Sequence, residues 1–149
     1  KTEYSPATTA APSNPGLKAT WYDFKGKTCA EIAAAPVKNT YRVEDVTIPR
    51  GVKSYIIGLT YKGYINIPED GIYSFYLSSD DGSMLYIDGK QVIDNDGLHA
   101  PGEVTGQAAL KQGYHPIEVQ YFDHGGGSIN LKVCDNNGKE MPFTYLYAH

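Results

Sequence analysis

The sequence predicts an all-β module, an antiparallel β-sandwich or barrel-like fold with at most two short helices, and three observations carry that reading. The 149-residue chain holds 13 Tyr, 16 Gly and 9 Pro, a mixture that suits half-buried strands joined by tight turns rather than helix bundles. Short segments of alternating apolar and polar residues recur along most of the chain, as they do in strands with one face in a core. A single stretch has the signature of a helix. A domain of this size buries about two-thirds of the surface its unfolded chain exposes, so it folds without staples.

The elements follow in order. Residues 1–15 are rich in Thr, Ala, Ser and Pro with almost no apolar periodicity, which reads as an interdomain linker, and residues 16–149 read as the module. Leu17, Ala19 and Trp21 alternate with Lys18, Thr20 and Tyr22 in a first strand. Residues 28–35 form the short helix, with Thr28 as its cap, Glu31 at the third helical position and Pro36 as its stop. Strands are expected over 41–48, 53–67, 71–78, 83–87, 91–94, 106–110, 115–122 and 128–134. Asp88-Gly89 supplies the positive φ angles of a two-residue hairpin turn, and residues 123–127 form the wider loop of a second hairpin. Alternation places Trp21, Ile57, Tyr73, Phe75, Leu85, Ile87, Val119, Tyr121 and Leu131 in the core.

Charge and motifs exclude several functions. The net charge of −4 comes from interspersed acidic and basic residues, with no basic stripe to displace counterions from a phosphate backbone, so nucleic acid is not a partner. No apolar run approaches the roughly 20 residues of a membrane span. Cys29 and Cys134 lack a nearby His or a C-x-x-C partner, which argues against zinc or catalytic roles; one bridge or two buried thiols both fit. Serine-nucleophile elbows, H-E-x-x-H and phosphate-cradling loops are absent from the sequence. A non-catalytic module is expected.

Candidate binding residues sit in two loops. Asp80 and Asp81, in the run Ser78-Ser79-Asp80-Asp81-Gly82-Ser83, are adjacent carboxylates that repel unless a cation, ligand donors or backbone N–H groups compensate. A solvated turn accounts for the same residues. Asp123, His124, Gly125 and Gly126 form the second candidate, an acid and an imidazole beside a glycine run that lets a ligand approach the backbone. Asp94-Asn95-Asp96-Gly97 lacks the spacing of an EF-hand and reads as a plain turn.

The run from Ile67 to Gly89, with its strand ending in S-x-D-D-G and its D-G hairpin, resembles the signature of the protective-antigen domain family. The resemblance continues through Gly113-Tyr114-His115-Pro116-Ile117-Glu118-Val119-Gln120-Tyr121 and Gly126-Gly127-Ser128-Ile129-Asn130-Leu131. It implies an accessory module of a larger secreted, periplasmic or cell-surface protein, with a catalytic domain in cis. The stretch Gly16-Leu17-Lys18-Ala19-Thr20-Trp21-Tyr22 is similar to the junction that follows the catalytic domain in bacterial β-hexosaminidases and related exo-glycosidases. In the adhesin branch of the family, paired aspartates joined by a cis peptide hold a calcium ion that grips sugar hydroxyls. Asp80 and Asp81 match that pair, so the resemblance implies calcium as cofactor and glycan as partner. The second loop departs from the adhesin pattern, having Asp123, His124 and glycines where those proteins add an asparagine; the nearest, Asn130, lies within a strand. Glycan binding and a structural role shaping the parent's active site both stay open, beside a small hydrolase using Asp80 or Asp81 with another acid.

Overall fold

The computed structural model describes residues 2–9 and 12–147. Lys1, Ala10 and Ala11 of the expected linker, and Ala148 and His149 of the expected module, lie outside the described residues. The strands are β1 (Asn14–Pro15), β2 (Leu17–Tyr22), β3 (Val37–Val43), β4 (Ile56–Ile67), β5 (Gly71–Ser79), β6 (Ser83–Ile87), β7 (Lys90–Asn95), β8 (Gly102–Leu110), β9 (Gly113–His124), β10 (Ile129–Cys134) and β11 (Tyr145–Tyr147). They form two antiparallel sheets, one of eight strands in the order β1-β11-β4-β9-β6-β7 with β2 and β3 attached to β4, the other of three in the order β10-β5-β8. The predicted all-β sandwich is the fold.

The spine is the pairing of β4 with β9, twelve residues on each side from Ile56 opposite His124 to Ile67 opposite Gly113. Strict alternation in β5 buries Tyr73, Phe75 and Leu77. These share the core with Leu59, Tyr61, Leu85, Val119, Tyr121, Leu131 and Val133 from the facing elements. Three of the tyrosines that stood out in the composition are fully buried, and each donates its hydroxyl to a backbone carbonyl: Tyr61 to Thr47 at 2.9 Å, Tyr73 to Glu69 at 2.6 Å and Tyr121 to Asp80 at 2.8 Å. Phenol is thus used as an apolar body with a satisfied tip. Burial pushes the Tyr61 and Tyr121 hydroxyls above their usual titration range.

The structure departs from several sequence expectations and decides where the sequence left two readings open. Trp21 is only partly buried: it lies at the irregular end of β2, where the register shifts, with the Lys38 ammonium 5.5 Å from its ring. The helix is a 3-10 helix over Cys29–Ala34, and Thr28 makes no side-chain cap; its hydroxyl donates instead to Glu31 Oε1 at 2.8 Å. The strand expected at 41–48 begins earlier and ends at Val43, because Asp45 Oδ1 accepts the Val46 N–H and turns the chain so that Val46 plugs the core. Cys29 and Cys134 are two buried thiols without a bridge. Within the stretch read as linker, Asn14–Pro15 pairs with β11, the Ser5 N–H donates to the Ala109 carbonyl at 2.8 Å and the Thr8 N–H to the Tyr114 carbonyl at 2.9 Å. No helix among the described residues is long and apolar enough to cross a membrane.

Candidate functional site

The chain leaves the three-stranded sheet at Ser79 and enters the eight-stranded sheet at Ser83, so residues 80–82 form a bridge across one end of the sandwich. The Asp80-Asp81 peptide bond on that bridge is cis. Its backbone is tied on every side. The Asp80 N–H donates to the Ser128 carbonyl at 3.0 Å and the Asp81 N–H to the Phe122 carbonyl at 3.1 Å. The two carbonyls accept in turn, from the Tyr121 hydroxyl at 2.8 Å and the Ser79 hydroxyl at 2.7 Å. Gly82 fits because a Cβ there would sit 2.5 Å from the Phe122 ring and 2.7 Å from the Gly97 nitrogen.

This scaffold brings Asp80, Asp81 and Asp123 together, with one carboxylate oxygen of each within 4.8 Å of the others. The three are compensated unequally. Asp81 accepts the His99 N–H on Oδ1 at 3.0 Å and the His124 N–H on Oδ2 at 2.9 Å. Asp123, buried at the end of β9, accepts the Gly125 N–H on Oδ1 at 3.2 Å and the Gly127 N–H on Oδ2. No backbone N–H reaches the Asp80 carboxylate among the described residues. Partial burial, together with the Asp81 and Asp123 carboxylates, raises its pKa above the usual aspartate value, with His99 opposing the shift.

The second candidate loop divides. Asp123 enters the cluster through its side chain, whereas His124 contributes its backbone N–H and turns its ring to the Gly26 carbonyl at 2.7 Å and to the edge of Phe122. Gly125 donates to Asp123, and Gly126 donates to the Tyr55 carbonyl at 3.3 Å. Gly127 is required by close approach, since a Cβ there would collide with the Asp80 carbonyl oxygen. Asn130 is exposed within β10, opposite Ser78, and adds nothing to the cluster.

Sequence reasoning missed residues 95–99. Asn95, expected in a plain turn, ends β7 as a buried side chain whose Nδ2 donates to the Leu77 carbonyl, the Ser79 hydroxyl and the Gly102 carbonyl at 3.1–3.3 Å. It fixes the loop that carries the His99 N–H to Asp81. Both ring nitrogens of His99 face carbonyls, Nδ1 at 2.7 Å from Ala100 and Nε2 at 2.9 Å from Asn95, and these bonds raise its pKa. The signal was weak because the partners that tie this segment to the cluster, Leu77, Ser79 and Asp81, lie 16 to 18 residues away in sequence.

Three carboxylate oxygens within 4.8 Å of one another suit a hard cation. Calcium takes six to eight oxygens, so Asp80, Asp81 and Asp123 fit part of its shell, and the remainder falls to water, carbonyls or ligand hydroxyls. One of the three carboxylates is uncompensated and the other two are oriented by backbone N–H donors.

Relatives place this geometry in a family. Residues 13–145 match the PA14 domain. The chain is 36% identical over 77 residues to a β-hexosaminidase of Porphyromonas gingivalis, covering 51% of this chain and 9% of that protein. It is 41% identical over 68 residues to an α-agarase of Thalassotalea agarivorans, covering 46% of this chain and 4% of the relative. The chain therefore spans a small part of these curated relatives. Among solved structures, it superposes on a PA14 sugar-binding domain from an RTX adhesin with a TM-score of 0.76 at 17% identity, covering 92% of this chain and all of the other. The match over residues 13–145 and the shared sandwich agree: the chain belongs to the PA14 domain family.

Proposed function

We propose that this chain is a non-catalytic glycan-binding module of a larger secreted, periplasmic or cell-surface glycoside hydrolase, and that it engages sugar through Asp80, Asp81 and Asp123. The observation that carries this reading is the unequal compensation of the cluster: Asp81 and Asp123 are fixed by backbone N–H groups while Asp80 is left facing two other carboxylates. A calcium ion held by these carboxylates would supply charge neutralisation and coordination positions for vicinal hydroxyls. This chain's own work is to hold the carboxylates apart from water-mobile conformations: Tyr121 and Ser79 fix the carbonyls, His99 and His124 fix Asp81, and Gly127 lets the second loop close on Asp80.

The test is calorimetric titration with calcium, followed by a glycan array run with calcium and with chelator. Binding that disappears in Asp80→Asn and Asp81→Asn proteins of unchanged fold supports the site, and ligand that binds only the native state raises the melting temperature. No heat and no melting shift at millimolar calcium, with or without sugars, overturns it. In that outcome the second reading stands, a module that contacts and shapes a neighbouring catalytic domain.

A further inference from the structure

A groove of about 580 Å³ opens on the outer face of the eight-stranded sheet, lined by Lys18, Lys62, Tyr64, Tyr86, Glu118 and Tyr147 among others. Its volume is that of a ligand site. It arises from the same alternation that builds the core: Leu17, Tyr61, Leu85 and Val119 point inward, so their neighbours Lys18, Lys62, Tyr86 and Glu118 point outward. Register sets them in one row across four strands, Lys18 opposite Lys62, Lys62 opposite Glu118, and Glu118 opposite Tyr86. Tyr64 stands next along β4 opposite Pro116, which leaves the trough open on that side.

The two lysines of the lining form no ion pair within the described residues. Like charges directly opposite each other on neighbouring strands are destabilising, yet Lys18 and Lys62 are so placed. The ion pairs among the described residues are Arg42 with Glu44 and His115 with Asp88, so neither lysine has a carboxylate partner. Glu118 instead accepts from the Gln120 side chain at 2.9 Å. The hydroxyls of Tyr64, Tyr86 and Tyr147 have no partner among the described residues either, although these rings are half-buried.

We propose that this groove binds an anionic saccharide chain, with its carboxylate or sulfate groups on Lys18 and Lys62 and its sugar rings on Tyr64, Tyr86 and Tyr147. Aromatic rings with a polar tip match the C–H faces and hydroxyls of a pyranose, and paired ammonium groups match repeated anionic substituents. The two lysines outnumber Glu118 in the lining, whereas the carboxylate cluster at the sandwich end repels the same ligand.

Titration in chelator isolates the groove from any calcium site. The probes are a short oligogalacturonate, a sulfated galactan oligomer and a neutral galactan of equal length. The anionic probes are expected to bind at least about tenfold more tightly than the neutral one; whichever of carboxylate and sulfate binds more tightly names the substituent. The Lys18→Gln/Lys62→Gln protein is expected to lose about tenfold and most of the salt dependence. Tyr64→Ala and Tyr86→Ala, titrated below the melting transition of each variant, each lose a comparable factor. Equal binding of neutral and anionic probes, or undiminished binding in the lysine variant, overturns the anionic assignment. No binding to the unchanged chain at about 10 mM probe overturns the site and leaves the groove as a face for another protein domain.

Discussion

Strands β6 and β9 each carry an aspartate constellation at both ends, and the two ends are built on opposite terms. At one end Asp88, in the hairpin turn with φ of 55° followed by Gly89 at 74°, is surrounded by donors. The Ser5 hydroxyl reaches its Oδ2 at 2.6 Å, and Nδ1 of the fully buried His115 lies 3.0 Å from both of its oxygens. Nε2 of His115 faces the Lys111 carbonyl at 2.7 Å, so the whole group is closed on itself. At the other end, Asp80 meets two further carboxylates. The difference teaches what makes an aspartate turn closed or uncompensated: donors converging from the chain's own residues finish the first, and acids converging leave Asp80 of the second without a donor of its own among the described residues.

That contrast can be broken by substitution, beginning where the largest effect is expected. Asp88→Ala strips the acceptor from buried His115 and from Ser5, and should cost about 2–3 kcal/mol in denaturant unfolding; a loss below about 0.5 kcal/mol means the closed end is not structural. Gly127→Ala drives a methyl against the Asp80 carbonyl, should cost about 1–3 kcal/mol, and should weaken calcium binding, whereas unchanged calorimetry would detach the loop from the site. Asp81→Ala removes the acceptor of the His99 and His124 N–H groups and should cost about 1–2 kcal/mol, with Asp81→Asn milder because one acceptor remains.

The smallest effect has the opposite sign. The raised pKa of Asp80 means that the folded state holds this proton more tightly than the unfolded state, so stability falls as pH rises from the unfolded value of about 3.9 through the folded one. In metal-free solution Asp80→Asn should therefore melt at a higher temperature than the unchanged chain at neutral pH, and the gain should vanish as pH falls below the unfolded value. Melting curves across that range measure it. A lower melting temperature for Asp80→Asn at neutral pH would show that Asp80 is compensated inside the chain, and the two ends would then be alike.

Legibility followed the range of the interaction. The first strand and 83–87 were read with correct ends because alternation and the flanking turns are local, and eight of the nine expected core residues are buried. Trp21 failed because the end of β2 is set by its bulged pairing with β3. The strands β1 and β11, two and three residues long, are too short to show a period and exist only because they pair with each other and with β4.

The sequence by itself determined the all-β fold, the Asp88-Gly89 hairpin and the aspartate pair at 80–81, because period-two patterning and turn chemistry act between residues close in the chain. Only the tertiary structure decided that Asp123 completes a cluster with that pair while His124 lends its backbone and not its ring, and that Asn95 and His99 belong to the site. It alone decided that the cysteines remain apart, and that Lys18, Lys62, Tyr86 and Glu118 align across four strands. Each of these depends on sheet register and on which loops meet at one end of the sandwich, and register is settled by burying one face of every strand at once rather than by any local stretch of residues.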